Sequence, residues 1–495
     1  MSYARKILSN TFSQIAGKAI SAIISVLIIK IITNYLSISG YGEYTMIYEF
    51  IAFFAIAADL GLFTIGVREM SRNEEEVKKI AGNILGLRIV LAFITMGLAV
   101  AAAFLIPKYQ GTLIPIGTAI AAITTIFTLL NGTVAMVLQL RLKMQWVSLT
   151  FVLGRLATLG YMAYIVFYGI PEPSDLGFYN LLIAGVIGNG LMFAATTYLA
   201  NKTVELKPQF DLKLWKRVVV ASLPYGLALI LNQIYFRIDS ILLFMLKDSS
   251  EVGMYGVPMR MLEVFTVIPL YFMNSVLPVL TKALKEKTEK YRRIIQYSWD
   301  FLMTTATPII IGSVILAYPI VFIVSSPEFL SRLNEGFYGS DIGLQILIFA
   351  LGFQFLNVLF AFILISMNQQ KKLLLINFIA VLFNIVGNFL VIPQWGFRGA
   401  AFTSVISELI ILVGTYIAAK HYLEFRIRLG PTFKILLSGA VMGLSVYGLH
   451  EYLADSMKAK VVILLVPVGA IVYIGMLFIT GAVSKDMLKL LKKGD

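Results

Sequence analysis

Arg260 and Glu263 stand one helical turn apart inside a long apolar stretch, on one face of the helix that such a stretch forms. A guanidinium is always charged and grips phosphate oxygens in bidentate fashion, so in this setting it is either an anion-binding group or half of a structural pair tying its helix to a neighbour. The same question attaches to the other ionisable residues within apolar runs: Lys18, Lys30, Arg88, Arg155 and Arg237 among the bases, Glu49, Asp59, Asp239 and Glu408 among the acids. Each is costly in hydrocarbon and by default marks a cavity, a partner or a function. Arg237 and Asp239 lie on different faces and so need partners other than each other. Lys30 is within snorkelling reach of one end of its run; Lys18, Arg88 and Arg155 sit about two turns from the other side, where they form a cationic mouth for an anion or snorkel to the headgroups. Glu408, near the middle of its run, is a proton or sodium carrier or a buried partner to Ser or Arg. Asp59 is expected to pair with Arg68 or nearby backbone, and Glu49 has no assigned role.

The elements that position these charges are membrane helices. Of 495 residues, 59% are apolar and only 14% charged, against roughly a quarter charged in soluble domains. Apolar runs of about 20 residues recur along the chain, each long enough to cross the bilayer. The spans run 10–36, 43–66, 80–106, 112–138, 146–168, 178–200, 218–246, 252–280, 298–324, 342–367, 371–392, 397–419, 433–453 and 460–482. The fold class is thus all-α, an integral membrane protein of about fourteen helices. The net charge of +14 needs no nucleic acid: with loops on alternating sides, about 29 of the 41 Lys and Arg fall on one side and about 6 on the other. The rich side holds Arg5 and Lys6, Arg68 to Lys79, Lys202 to Arg217, Lys282 to Arg293, Lys420 to Lys434 and Lys485 to Lys493. Both termini are therefore expected in the cytoplasm, and the first apolar stretch, too long for a signal peptide, as a retained helix. The longest exterior loop, Ser325 to Asp341, cannot hold a domain. There is no Cys, so no disulfide or thiolate metal site forms, and no metal or cofactor is expected.

The turn before the second span, with Gly42 and Tyr44, lies over the turn before the eighth, with Gly253 and Tyr255, at one offset, which suggests an internal repeat of six spans. Three stretches carry a wider resemblance. The first is Leu36 to Tyr44 with Asp59-Leu-Gly-Leu and Arg68; the second is Arg237-Ile-Asp-Ser-Ile-Leu-Leu followed by Val252-Gly-Met-Tyr, Arg260-Met-Leu-Glu263 and Leu277-Pro278; the third is Asn377, Asn384 and Asn388 leading to Ile392-Pro-Gln-Trp-Gly-Phe-Arg-Gly-Ala-Ala401. In order and spacing they resemble the polysaccharide-transporter branch of the MOP superfamily, which includes the Wzx-type O-antigen and other lipid-linked oligosaccharide flippases. The resemblance implies two six-helix lobes, 1–205 and 206–420, in a V around a central cavity, with 421–495 adding two helices and a cytoplasmic tail. It implies a monomer in the inner (cytoplasmic) membrane that moves a polyprenyl-diphosphate oligosaccharide lipid, with membrane lipids around it and H+ or Na+ as a coupling ion. In that frame Arg260 grips the diphosphate, with Arg237, Lys30, Lys18, Arg88 and Arg155 as further substrate contacts. Glu263, Asp239 and Glu408 serve ion coupling or charge pairing. Pro258, Pro269 and Pro278 permit the eighth span to bend.

Two other functions compete. An enzyme acting on lipid-linked sugars needs acids, bases or a metal on an exterior loop, and these loops are short; the two His residues, His421 and His450, fall near span ends. An ion-coupled multidrug or cation extruder of the same superfamily needs acids in its first lobe, where the first span carries Lys18 and Lys30 and none. A net positive cavity attracts phosphate and repels cations.

Overall fold

A computed structural model of the chain describes residues 3–72, 74–286, 289–457 and 461–482, apart from the side chains of 3–16, 74, 224–233, 235–236 and 454–457. The Lys485 to Lys493 run and the side chains of Arg5 and Lys6 lie outside the described residues. The described residues form fifteen α-helices: α1 Tyr3–Tyr35, α2 Ile38–Asp59, α3 Leu62–Arg72, α4 Val77–Leu105, α5 Ile114–Leu140, α6 Met144–Tyr164, α7 Asp175–Asn201, α8 Leu212–Leu246, α9 Ser249–Lys285, α10 Lys290–Ile315, α11 Ala317–Val324, α12 Ser340–Ser366, α13 Gln370–Tyr422, α14 Leu429–Met457 and α15 Val461–Ile479. Among the described residues twelve helical stretches are long and apolar enough to span a membrane. One of them, α13, has 53 residues, about 80 Å of helix, and breaks at Gly396, whose φ of 55° is left-handed. It is therefore two crossings joined by a kink. With α8, long enough at 35 residues, the count reaches fourteen.

Two expected spans differ in detail. The second begins five residues earlier than its apolar run, at Ile38, capped by the Ser37 hydroxyl accepting from the Gly40 amide, and it breaks at Leu60 and Gly61, both at positive φ. The ninth, expected over 298–324, starts at Lys290 and is interrupted at Leu316, just before α11. Both breaks fall at leucines, which leave no mark in hydropathy.

Contacts divide the chain into two compact units, Met1–Gly253 and Met254–Asp495. In lipid the helices gain little from hydrophobic burial and associate through close packing of small residues. In the first unit, a Cβ on Gly154 would meet the Gly188 carbonyl, and one on Gly188 the Gly154 carbonyl, so α6 and α7 cross nearly backbone to backbone. Gly82 and Gly86 leave a groove along α4 into which the segment 207–209 lies, with the Gln209 amide donating to the Gly82 carbonyl at 2.9 Å. Asn83 pins the same segment, donating to Gln209 Oε1 at 3.0 Å and accepting from the Asp211 amide at 2.8 Å. Next to it Glu205 pairs with Lys78 at 2.5 Å and Lys207 at 2.6 Å, and Lys207, then Lys78, hold its carboxyl down at about 2.

The turns that carry Gly42 and Gly253 pack against each other. A Cβ on Gly42 would collide with the carbonyl oxygen of Ser249, and a Cβ on Gly253 with that of Ile38. The two turns thus meet reciprocally, the mark of a local two-fold contact, and the hydroxyls of Ser39 and Ser249 bridge it. In the second unit α14 and α15 lie against α10: Gly439 and Gly443 face Thr307 and Ile311, and the Tyr473 hydroxyl donates to the Thr304 carbonyl at 2.9 Å.

Candidate functional site

Two arginines of the first unit, Arg88 and Arg237, pair with acids from other helices. Arg88, on α4, is 1% exposed. Its Nη1 donates to Asp59 Oδ1 at 2.7 Å and to the Ala58 carbonyl at 3.0 Å, and its Nε to Thr133 Oγ1 at 3.1 Å. Asp59 is the last residue of α2, just before the left-handed Leu60, so the helix break delivers both a carboxylate and a carbonyl to one guanidinium. The expected Asp59–Arg68 pair is thereby corrected: Arg68 lies 3.6 Å from Glu69 instead. The pairing that sequence could not supply is set by the approach of α4 to the end of α2.

Arg237, on α8, pairs with Glu49 of α2. Glu49, to which the sequence assigned no role, is a buried acid facing a guanidinium, and its position in mid-span was the available signal. Asp239, two residues beyond Arg237, is 3% exposed. Lys30 is half-buried on α1 and Lys18 exposed there, while the Arg155 guanidinium stands 5.5 Å over the Phe151 ring on α6. Between α5 and α7, Thr128 donates to Asn189 Oδ1 at 3.1 Å on an exposed polar face that sequence reading did not single out.

The second unit treats its arginine differently. Arg260 Nη1 lies 3.0 and 3.3 Å from the two oxygens of Glu263, and the side chains remain 29% and 48% exposed. Both residues are on α9, whose interior holds Pro258, Pro269 and Pro278. Here the neutralising acid comes from the same helix and is itself accessible. Elsewhere in this unit the two halves of α13 run back along each other and bury a polar seam: Asn384, Asn388 and Ser407 are fully buried and Glu408 is 5% exposed. Asn388 Nδ2 donates to Asn384 Oδ1 at 3.2 Å, and the Tyr255 and Ser404 hydroxyls lie 3.3 Å apart.

Comparison with known proteins places this geometry. No curated protein was found to match the chain. Among solved structures, a lipid II flippase MurJ in an inward closed conformation aligns with a TM-score of 0.72 and 16% identity over 95% of this chain and 98% of its own. An inward-facing multidrug resistance MATE family transporter of the MOP superfamily aligns at 0.67 with 13% identity over 81% and 94%. A Pyrococcus furiosus MOP superfamily transporter, described as having a binding pocket of reversed polarity, aligns at 0.59 with 12% identity over 84% and 95%. These likenesses show a shared fold, and the matched proteins are transporters and a flippase rather than enzymes. A family model named MatE matches residues 224–390, and one described as polysaccharide biosynthesis protein matches residues 7–284, more than half of the sequence. With that match, the chain belongs to the polysaccharide biosynthesis protein family.

Proposed function

We propose that this protein is a flippase that moves a polyprenyl-diphosphate-linked oligosaccharide from the cytoplasmic to the outer leaflet by alternating access, for assembly of a cell-surface glycan. The observation that carries this reading is Arg260, an accessible guanidinium inside a span, neutralised by a carboxylate on its own helix. An exposed arginine in hydrocarbon needs a counter-charge. Glu263 supplies one at rest, and an incoming diphosphate, carrying more charge and matching the guanidinium fork, replaces it. Arg88 and Arg237, held by acids from other helices, contribute to the framework rather than the first grip, and Lys18, Lys30 and Arg155 supply the field that draws the anionic head. The polyprenyl tail stays in lipid throughout, so only the head needs a polar route. The fold shared with a lipid II flippase supports the same reading. Coupling to H+ or Na+ falls to Glu408, with Asp239 and Glu263 as further coupling or charge-pairing acids, in a monomer of the cytoplasmic membrane.

The test is transport by purified protein in liposomes, using a fluorescent polyprenyl-diphosphate oligosaccharide and, in parallel, a cationic dye. Wild type moves the lipid and leaves the dye. Arg260→Ala lowers the flipping rate by about 10- to 100-fold, the worth of a lost hydrogen bond to a charged group, while Arg260→Lys, a point charge without the fork, retains an intermediate rate. Dye transport with no movement of the lipid would sink the reading and make the protein a cation extruder.

A further inference from the structure

The motif around the α13 kink has no part in the transport reading, yet it builds a site of its own within the second unit. Ile342 and Ile346, one turn apart on α12, and Trp395, Arg398 and Phe402, flanking Gly396 on α13, line a cavity of about 390 Å³. Its walls are apolar: the Trp395 and Phe402 rings meet edge to face at 6.3 Å, and both side chains are about half exposed. At its rim the Arg398 guanidinium lies 3.6 Å from the centre of the Tyr338 ring. Among the described residues Arg398 has no carboxylate within ion-pair distance. Its neighbour Arg332, by contrast, is paired with Glu335 at 2.9 Å and stacked on Phe337.

The position of the notch follows from the fold. Gly396 separates two membrane-length halves of α13, so the reversal falls at a membrane boundary, where Trp and Tyr are at home. An arginine stacked on a tyrosine is fixed in plane with its N–H edges presented outward. Beside it the apolar walls, Trp395 and Phe402, are exposed on the surface of a membrane-length helix. One charged rim over one apolar slot has the chemistry of a single amphiphile with an anionic head.

We propose that this notch binds an anionic phospholipid, with the phosphate on Arg398 and one acyl chain seated against the Trp395–Phe402 pair beside Ile342 and Ile346. The charge complementarity selects the head: a zwitterionic lipid brings its own cation next to Arg398, whereas phosphatidylglycerol does not. A lipid so placed bridges α12 and both halves of α13, and holds the kink at its angle.

The experiment uses the full-length protein in detergent, with thermal unfolding and native mass spectrometry as readouts. Dioleoylphosphatidylglycerol, dioleoylphosphatidylcholine and inorganic phosphate are titrated separately. Phosphatidylglycerol is expected to raise the unfolding midpoint through mass action and to remain bound in the mass spectrum, while the other two have no effect. Arg398→Gln should weaken the apparent affinity for phosphatidylglycerol about tenfold, and Arg332→Gln should leave it unchanged. If Arg398→Gln does not fold, Phe402→Ala carries the test through the apolar wall, with a comparable loss expected. Equal stabilisation by the two lipids, a response to phosphate alone, or a wild-type response in the substituted protein overturns the proposal.

Discussion

The guanidinium of Arg88 donates to a carboxylate, a carbonyl and a hydroxyl while 1% exposed. Desolvating such a pair costs several kcal/mol, and geometry of this quality is what offsets it; removing one member leaves the other charge stranded. Arg88→Met is therefore expected to destabilise the folded protein by about 3–5 kcal/mol, with Asp59→Asn in the same chain restoring part of the loss, as read from thermal unfolding in detergent. An unchanged midpoint in the single variant would mean that the pair contributes nothing. The charges were visible in the sequence because ionisable side chains stand out in apolar runs, but their pairing was not. Asp59 has Arg68 nearby in the chain and Arg88 nearby in space, and Glu49 finds Arg237 from another helix. Such choices are made by helix packing, which a single sequence does not encode locally. The Arg260–Glu263 pair was legible because it obeys a one-turn rule within one helix.

Helix α4 shows how the same residue type has opposite tolerance along one element. A Cβ at Gly86 would run into the Gln209 backbone, whereas one at Gly97 meets nothing within 4 Å. Gly86→Val is expected to displace the 207–209 segment and sharply reduce the yield of folded protein, while Gly97→Ala is tolerated or gains up to about 1 kcal/mol from helix propensity. Size-exclusion profiles and unfolding midpoints of the two variants check this; equal behaviour would remove the groove as a structural requirement. Apolar run length located nearly every helix, since the bilayer fixes the length a span must have. It missed the breaks at Leu60 and Leu316 because a change of backbone direction there involves no change of polarity. It did find the reversal at Gly396, where Pro393, Gln394 and Gly396 interrupt the pattern.

At the scale of the whole molecule the absence of Cys makes the natural sequence a ready background for mapping sidedness. Lys285→Cys lies on the Lys-rich side and Asn334→Cys in the exposed segment between α11 and α12. A membrane-impermeant maleimide added to intact cells should label the second and spare the first, following the positive-inside rule; the reverse pattern would invert the orientation and with it the direction of transport. The reciprocal contact of Gly42 with Ser249 and Gly253 with Ile38 also bears on how the protein is made. Ser39 and Ser249, which bridge that contact, are separated by 210 residues, so at about 5–20 residues per second α2 waits roughly 10–40 s in the membrane before its partner emerges from the ribosome. Throughout that interval the start of α2 is a docking face with nothing docked on it, and the contact closes only when the first turn of α9 has been synthesised.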